Sequence, residues 1–191
     1  MQTVIGLGQA GCNIADQFKQ YPQYKIIKLD EGLKKTKTSF GLKRQTSPEL
    51  YEENLPRGIV KYLQEGVMSE TLFITSCGMV SGAALSILSK IKDHTNITVI
   101  YIIPERIELV GDKVYQNNLL FNVFQEYARS GLFKRVYLLD NQKISDIIGP
   151  VPIMKHKDSL NTLITSTYHM INVFDHSKPV LTTTTNRYPT A

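Results

Sequence analysis

Two short glycine-rich segments hold the residues whose types and spacing are suited to chemistry. The first, GLGQAGCN, runs from Gly6 to Asn13, and its first six residues read G-x-G-x-x-G. The second, SCGMVSG, runs from Ser76 to Gly82. Small residues let a backbone approach a ligand closely, and a helix that begins there presents free N–H groups and a positive dipole end to an anion. Both segments therefore predict phosphate binding.

The first segment taken alone also fits a dinucleotide. Such a site needs one glycine loop and an acidic residue about 20 positions later to bind the ribose, and Asp30 has that spacing. A fragment of an NAD- or FAD-dependent oxidoreductase is thus one hypothesis, although no recognisable catalytic arrangement of His, Lys or Cys accompanies it. The oxidoreductase hypothesis leaves the second segment without a function. A nucleoside triphosphate bound between two helix N-termini would use both glycine-rich segments. For each segment the alternative is structural: a tight turn, or close helix–strand packing at Gly78 and Gly82.

The elements that must position these segments alternate along the chain. Runs of apolar and β-branched residues predict strands over 2–7, 24–29, 71–76, 97–103 and 135–140. Apolar residues three and four apart predict helices over 11–20, 57–66, 83–93, 116–130, 141–148 and 158–174. We expect Asp158 to cap the last helix, and we expect the polar segment 31–56 to form a long loop. The alternation predicts an α/β fold, with a Rossmann-like, mostly parallel sheet and helices on both faces.

The composition is that of an ordinary globular domain. The 191 residues are 42% hydrophobic and 20% charged. No apolar run reaches the roughly 18 residues that a membrane span needs, and a strand predicted from residue 2 leaves no place for a signal peptide. We therefore expect a cytoplasmic protein without a membrane span. Cys12 and Cys77 form no metal-binding pattern and are expected to be small buried residues.

The basic residues cluster in one polar segment. Lys34, Lys35, Lys37, Lys43 and Arg44 contribute to a net charge of +5. Such a cluster could attract nucleic acid or an acidic partner, and the alternative is a solvated loop. Apart from Phe40, no aromatic residue lies among these cations to stack on bases. The sequence therefore shows no direct nucleic-acid motif.

Five motifs, in order, give the chain a resemblance to the tubulin/FtsZ superfamily of filament-forming GTPases. VIGLGQAGCNIADQF looks like the family's first nucleotide loop, which is G-x-G-G-G-G-G-N in FtsZ and G-Q-x-G-N in tubulin. FITSCGMVSGAALSIL looks like the strand, signature loop (G-G-G-T-G-[ST]-G) and helix, and IKLDEGLKK is similar to the second strand and its N-T-D-x-x-A-L turn. RVYLLDNQKI resembles L-I-V-I-P-N-D-K-L of FtsZ, and NTLITSTYHMI resembles the start of the central helix. The similarity covers about residues 1–175, and its divergence resembles that of the plasmid and phage tubulins.

The resemblance implies a site for GTP or GDP and its Mg²⁺. The residues that it implies at the α- and β-phosphates are Gly8, Gln9, Ala10, Gly11, Cys12 and Asn13, with Gln9 also near the magnesium. On the other side of the phosphates it implies Gly78, Met79, Val80, Ser81 and Gly82, mainly through backbone N–H groups. It implies Asn141 at the ribose or guanine and Asn161 at the guanine edge, where an amide offers both a donor and an acceptor. Asp30 belongs to the second-strand motif, and its alternative is an ordinary strand-end cap.

The chain departs from the family pattern in two places. In the signature loop Met79 and Val80 replace Thr and Gly, and a β-branched residue disfavours positive φ. We therefore expect a loop that either differs in shape or has a backbone conformation that permits Val80. The family's N-x-D-x-x-D segment, which positions the attacking water in the neighbouring subunit, should fall near Thr182–Arg187, where the sequence is TTTTNR. Catalytic residues are therefore unknown. We expect a GTP-binding domain over residues 1–175 including the central helix and a tail of uncertain structure over 176–191, and the family's second domain is absent from this chain.

The resemblance implies a subunit that assembles head-to-tail into homopolymer filaments. Such filaments position or segregate DNA or act in division, with hydrolysis completed by a neighbouring subunit, and a DNA adaptor or another protein can be a partner. Without the acidic segment, the chain is either a fragment or a single-domain relative that cannot hydrolyse its neighbour's nucleotide. A non-catalytic interaction protein that keeps the fold is the main alternative, and the altered signature loop favours it.

Overall fold

The computed structural model describes residues 1–177, except for the side chain of Asp112. Its strands form one sheet in the order β3-β2-β1-β4-β5-β6, and every neighbouring pair is parallel. The strands are β1 (Gln2–Leu7), β2 (Tyr24–Glu31), β3 (Ser39–Leu42), β4 (Glu70–Ser76), β5 (Asn96–Ile103) and β6 (Arg135–Asp140). The predicted α/β fold with a parallel sheet is confirmed, and the first strand of the chain lies in the middle of the sheet.

Helices cover both faces of the sheet. They are α1 (Gly8–Gln17), α2 (Pro48–Glu53), α3 (Arg57–Gly66), α4 (Ala84–Ile91), α5 (Asp112–Arg129), α6 (Asn141–Ile148) and α7 (Ile153–His176). Side chains of α2, α3, α4 and α5 pack with those of one face, around the fully buried Phe73 and Tyr101. Side chains of α1 and α7 pack on the other face, around the fully buried Phe18. Burial on both faces explains why the central strands read as unbroken apolar runs.

The prediction of an unstructured loop over 31–56 is wrong. Within it, β3 pairs with β2 and buries Phe40 and Leu42. The short helix α2 begins at Pro48, whose fixed φ suits a first helical position, and buries Tyr51. These elements are four and six residues long, too short to show a clear period.

The starts of three helices also differ from the sequence prediction by three residues or more, and one of them is α5, which begins at Asp112 rather than at residue 116. The helix predicted from residue 11 begins at Gly8, so much of the first glycine-rich segment is helical. Helix α7 begins at Ile153 after Pro152, five residues earlier than predicted, and Asp158 is an exposed residue within it rather than its cap. Helix α7 ends at His176, and the predicted tail from Lys178 onward lies outside the described residues.

One buried hydrogen-bonded pair fastens α7 to the central strand. Gln2 Nε2 donates to Tyr168 Oη at 2.9 Å, and Tyr168 Oη lies 3.3 Å from Gln2 Oε1. Both residues are buried, and burial raises the pKa of Tyr168 so that its hydroxyl stays protonated. We expect Tyr168→Phe to lower the free energy of unfolding by about 1–3 kcal/mol, because it leaves the buried amide unpaired. Urea denaturation measures this loss.

Tyr127→Phe is the matched control for that substitution. Tyr127 is half-buried, and its hydroxyl has no hydrogen bond to another described residue. The control should change the free energy of unfolding by less than about 0.5 kcal/mol. Equal effects of the two substitutions would show that the contact between Gln2 and Tyr168 does not stabilise the packing of α7.

Candidate functional site

The two glycine-rich segments come together at the carboxyl edge of the sheet. They line one open cleft of about 170 Å³, which we call the strand-end cleft. It lies where β1, β4 and β5 end, which is the usual ligand position in an open parallel sheet. Its lining consists of Leu7, Gly8, Gln9, Ala10, Ser76, Cys77, Gly78, Ser81, Pro104, Glu108 and Lys113. Segments far apart in the sequence thus contribute to a single concave surface.

The first segment divides into a part that lines the cleft and a part that packs on the sheet. Gly8, Gln9 and Ala10 line the cleft, and Gly8 has a φ of +71°, a conformation that favours glycine. Gly11 packs against β4, since a Cβ placed on it would lie 2.4 Å from Ile74 O. Asn13 is exposed and, like Gly11 and Cys12, is not among the lining residues.

The second segment forms a 3₁₀ turn over Met79–Ala83 instead of a left-handed loop. Non-glycine residues with positive φ are absent from the described residues, so Val80 is accommodated without backbone strain. Its side chain is buried, and a Cβ placed on Gly8 would lie 3.8 Å from Val80 Cβ. The backbone of the segment therefore suits Val80.

Within the second segment, Gly78 and Ser81 line the cleft. A Cβ placed on Gly78 would meet no atom within 4 Å, whereas one on Gly82 would lie 2.0 Å from Pro48 O. Gly82 thus serves close packing against α2. Ser81 Oγ accepts from Thr75 Oγ1 at 3.0 Å, which leaves the Ser81 hydroxyl proton for another acceptor. Met79 is 39% exposed and does not line the cleft.

Two charged residues of the cleft were missed from the sequence. Lys113, in the first turn of α5, is exposed, and Glu108 ends the 3₁₀ turn that follows β5. Glu108 Oε1 lies 3.5 Å from Lys157 Nζ of α7, so its charge is partly balanced from outside the cleft. Lys113 has no ion pair among the side chains that the structure describes, and it contributes a positive charge to the cleft. In the sequence, only their position after the strand predicted over 97–103 points to Glu108 and Lys113.

The remaining predicted residues lie outside the lining of the cleft. Asp30 is the last residue but one of β2, close to the same edge of the sheet, and its Oδ1 accepts from Glu31 N at 2.8 Å. Burial raises the pKa of the Asp30 carboxyl. Asn141 follows β6 at that edge and begins α6, and its Oδ1 is buried without a hydrogen-bond partner among the described residues. Asn161 lies half-buried on α7.

Neither cysteine is a reactive group. Cys12 Sγ lies 3.3 Å from Gly6 O and 3.6 Å from Leu29 O, and burial raises the pKa of its thiol to about 12. Burial also raises the pKa of Cys77. Both thiols are therefore protonated and buried, as expected, and both are free. Residues 1–177 also contain no group of three His, Cys, Asp or Glu side chains placed to bind a metal.

Solved structures share this arrangement of strands and helices. An empty FtsZ dimer from M. jannaschii superposes with a TM-score of 0.72 at 13% identity, over 94% of this chain and 56% of that one. CetZ2 from Haloferax volcanii, a protofilament with GTPγS bound, superposes with a TM-score of 0.68 at 15% identity. The match covers 90% of this chain and 58% of the CetZ2 chain. The chain has the fold of FtsZ and CetZ. A tryptophan-to-tyrosine variant of FtsZ from M. jannaschii superposes with a TM-score of 0.66 at 13% identity. The match covers 94% of this chain and 58% of the FtsZ chain.

The FtsZ-like fold is thus established by structure rather than by sequence. No protein-family model matches the sequence, and no curated protein matches it. The chain spans a little over half the length of the FtsZ and CetZ chains. Across residues 1–177, none of the helices has both the length and the apolarity to cross a bilayer.

Proposed function

We propose that this chain binds GTP or GDP with the phosphates in the strand-end cleft. One observation carries the proposal: two glycine-rich segments about 70 residues apart line a single cleft at the carboxyl edge of a parallel sheet. Gly8 and Gly78 present backbone there without side chains, and α1 begins at the cleft with its free N–H groups. Lys113 adds a positive charge, and Ser81 adds a hydroxyl donor.

The predicted guanine contacts complete this proposal. A cleft of about 170 Å³ accommodates phosphates rather than a whole nucleotide, so ribose and base must extend beyond it. Asn141 lies at the same edge of the sheet with a buried, unpartnered Oδ1, which suits a donor on the guanine ring. Asn161, on the helix that packs beside α6, is the second proposed guanine contact. Mg²⁺ would be bound mainly by phosphates and water, as is usual for this ion, with Gln9 beside it.

We also propose head-to-tail assembly into a cytoplasmic filament that positions or segregates DNA or acts in division. The support is the fold, since its solved neighbours include an FtsZ dimer and a CetZ2 protofilament. Residues 1–175 would be the GTP-binding domain and α7 its central helix, on the divergent plasmid or phage branch. The region where the family's N-x-D-x-x-D segment should fall, Thr182–Arg187, lies outside the described residues, so no catalytic residue is proposed.

Titration with GTP, GDP, ATP and NAD tests the nucleotide proposal directly. We expect GTP and GDP to bind by calorimetry, with ATP much weaker and NAD not detected. Preferential NAD binding would favour the oxidoreductase hypothesis, and no binding of any nucleotide would favour a non-catalytic interaction protein. Light scattering tests assembly, since a rise that depends on GTP is expected. Unchanged scattering with saturating GTP would contradict filament formation.

Lys113→Gln should weaken GTP binding by about 5- to 20-fold. A hydrogen bond to a charged group contributes about 1.5–3 kcal/mol, and the exposure of Lys113 reduces that value. Calorimetry of the variant measures the change. Lys143→Gln is the matched control, because Lys143 is an exposed lysine in the first turn of α6 that does not line the cleft. Equal weakening by both variants would contradict a phosphate contact by Lys113.

A further inference from the structure

The positive charge of the chain is concentrated at one edge of the sheet. Segment 32–48 contains five cations and no carboxylate. Because the chain has 22 basic and 17 acidic residues, the other 17 basic residues balance the acidic ones, and this segment holds the whole net charge of +5. We call these residues the cationic edge: Lys34, Lys35, Lys37, Lys43 and Arg44. They flank β3, an edge strand of the sheet.

The cations of this edge are available to a partner. All five residues are exposed. The four lysines have no ion pair among residues 1–177, and Arg44 Nε reaches Glu31 Oε2 only at 3.9 Å. Glu31 also accepts a hydrogen bond from the Tyr51 hydroxyl, so its charge is shared. An incoming polyanion would therefore displace almost no internal ion pair.

The segment is held in one conformation by its own hydrogen bonds. Thr36 N donates to Ser39 O at 2.8 Å, and Ser39 Oγ donates to Lys34 O at 2.8 Å. Lys28 N of β2 donates to Thr38 O at 2.9 Å. The backbone of Gly41 packs so tightly that a Cβ there would lie 1.9 Å from Leu33 O. An ordered segment loses little conformational entropy on binding.

The chemistry of this surface selects the kind of partner. Protein interfaces depend on buried aromatic or apolar anchors, but large exposed apolar side chains are absent between Gln2 and Gly78. Phe40, with Lys35 Nζ 5.5 Å from its ring centre, is 7% exposed and offers no face for stacking on a base. Apart from the partly exposed Glu31 carboxylate beside Arg44, the surface presents mainly cations and hydroxyls. Cations and hydroxyls are suited to the phosphate backbone of a duplex, in which the bases stack on one another and need no aromatic side chain.

We propose that the cationic edge binds the phosphate backbone of duplex DNA without reading its sequence. Lys34, Lys35 and Lys37 precede the amino end of β3, and Lys43 and Arg44 follow its carboxyl end, on an outer strand that β2 separates from β1. None of the five cations lines the strand-end cleft, so we expect binding without nucleotide and without a filament. If the chain does assemble, each subunit repeats the edge, and avidity would increase affinity for long DNA.

Fluorescence anisotropy with a short labelled duplex tests this proposal on the full chain without nucleotide. With four or five phosphate contacts, the affinity should fall about 150- to 500-fold between about 50 and about 200 mM salt. A variant with Lys34→Gln, Lys35→Gln, Lys37→Gln, Lys43→Gln and Arg44→Gln should lose at least about 50-fold at the lower salt concentration. The matched control neutralises five exposed cations that have no ion pair among the described residues: Lys90, Lys92, Arg106, Lys143 and Lys155.

Three outcomes would overturn the proposal. Equal loss in the control variant would show attraction by net charge alone. Tighter binding of poly-glutamate than of the duplex would indicate an acidic protein partner. Unchanged DNA affinity with new aggregation of the variant would show that the lysines only prevent the edge strand from pairing with another chain. Circular dichroism confirms that the variant is folded.

Discussion

Gly78→Asp should weaken GTP binding by roughly 100-fold or more without unfolding the protein. Gly78 lines the strand-end cleft, and a Cβ there meets no atom within 4 Å. Its φ of −73° and ψ of 166° suit any residue. A carboxylate about 5 Å from a phosphate charge costs on the order of 3 kcal/mol at an effective dielectric constant of about 20. Calorimetric titration with GTP measures the loss.

Gly78→Asn controls for the size of the new side chain. It has nearly the shape of aspartate but no charge, so it should retain affinity to within about fivefold, since a neutral side chain adds no charge repulsion. The melting temperatures of both variants should match that of the wild type, because the position is open. Similar affinities for the two variants would contradict phosphate binding beside Gly78. Strong loss in both would indicate that the backbone N–H is reached only when no side chain is present.

Gly11→Ala should lower the free energy of unfolding by about 3 kcal/mol or more. The added Cβ would lie 2.4 Å from Ile74 O and 3.3 Å from the carbonyl carbon of Gly6, so α1 would have to move away from β4. Overpacking of this kind costs about 1–3 kcal/mol where flexible side chains can adjust, and occasionally more. Here the atoms in contact belong to the backbone, and they cannot rotate away. Urea denaturation measures the change.

Gly78→Ala is the matched control for this effect. It makes the same chemical change in the other glycine-rich segment, where the space is open, and should change stability by less than about 1 kcal/mol. Saturating GTP should partly restore the stability of Gly11→Ala, because ligand binding stabilises the native state. A Gly11→Ala protein as stable as the wild type would contradict the packing described for α1 and β4.

The strands of the sheet other than β3 could be predicted because each has a run of apolar residues, although β6 is an edge strand with no fully buried residue. Their unbroken apolar runs gave two strands with the observed bounds, Gln2–Leu7 and Arg135–Asp140, and the others to within two residues. The edge strand β3 was missed because a four-residue strand in a segment rich in lysine and threonine has no apolar run. What stabilises it is tertiary: Phe40 and Leu42 are buried against other elements.

Of the candidate site, only the two glycine-rich segments could be predicted from the sequence. Their small residues indicate close approach of backbone to a ligand, and the structure places Gly8, Gln9, Ala10, Gly78 and Ser81 in one cleft. It does not place Gly11, Cys12 or Gly82 in the lining, because these residues serve packing against neighbouring elements. A glycine needed for packing and one needed for a ligand look alike in a sequence. Lys113 was missed because its position depends on how the chain after β5 folds.

The central position of β1 has a consequence for the order of events during synthesis. The ribosome releases β1 first, but β1 pairs with β4, Thr3 beside Thr71, only after many more residues have emerged. Closing so long a segment costs conformational entropy. Because Lys113 also lines the strand-end cleft, more than half of the chain must be folded before the cleft is complete. A nucleotide bound in the cleft as proposed would therefore stabilise only the finished domain, and a nascent or truncated chain would gain nothing from it.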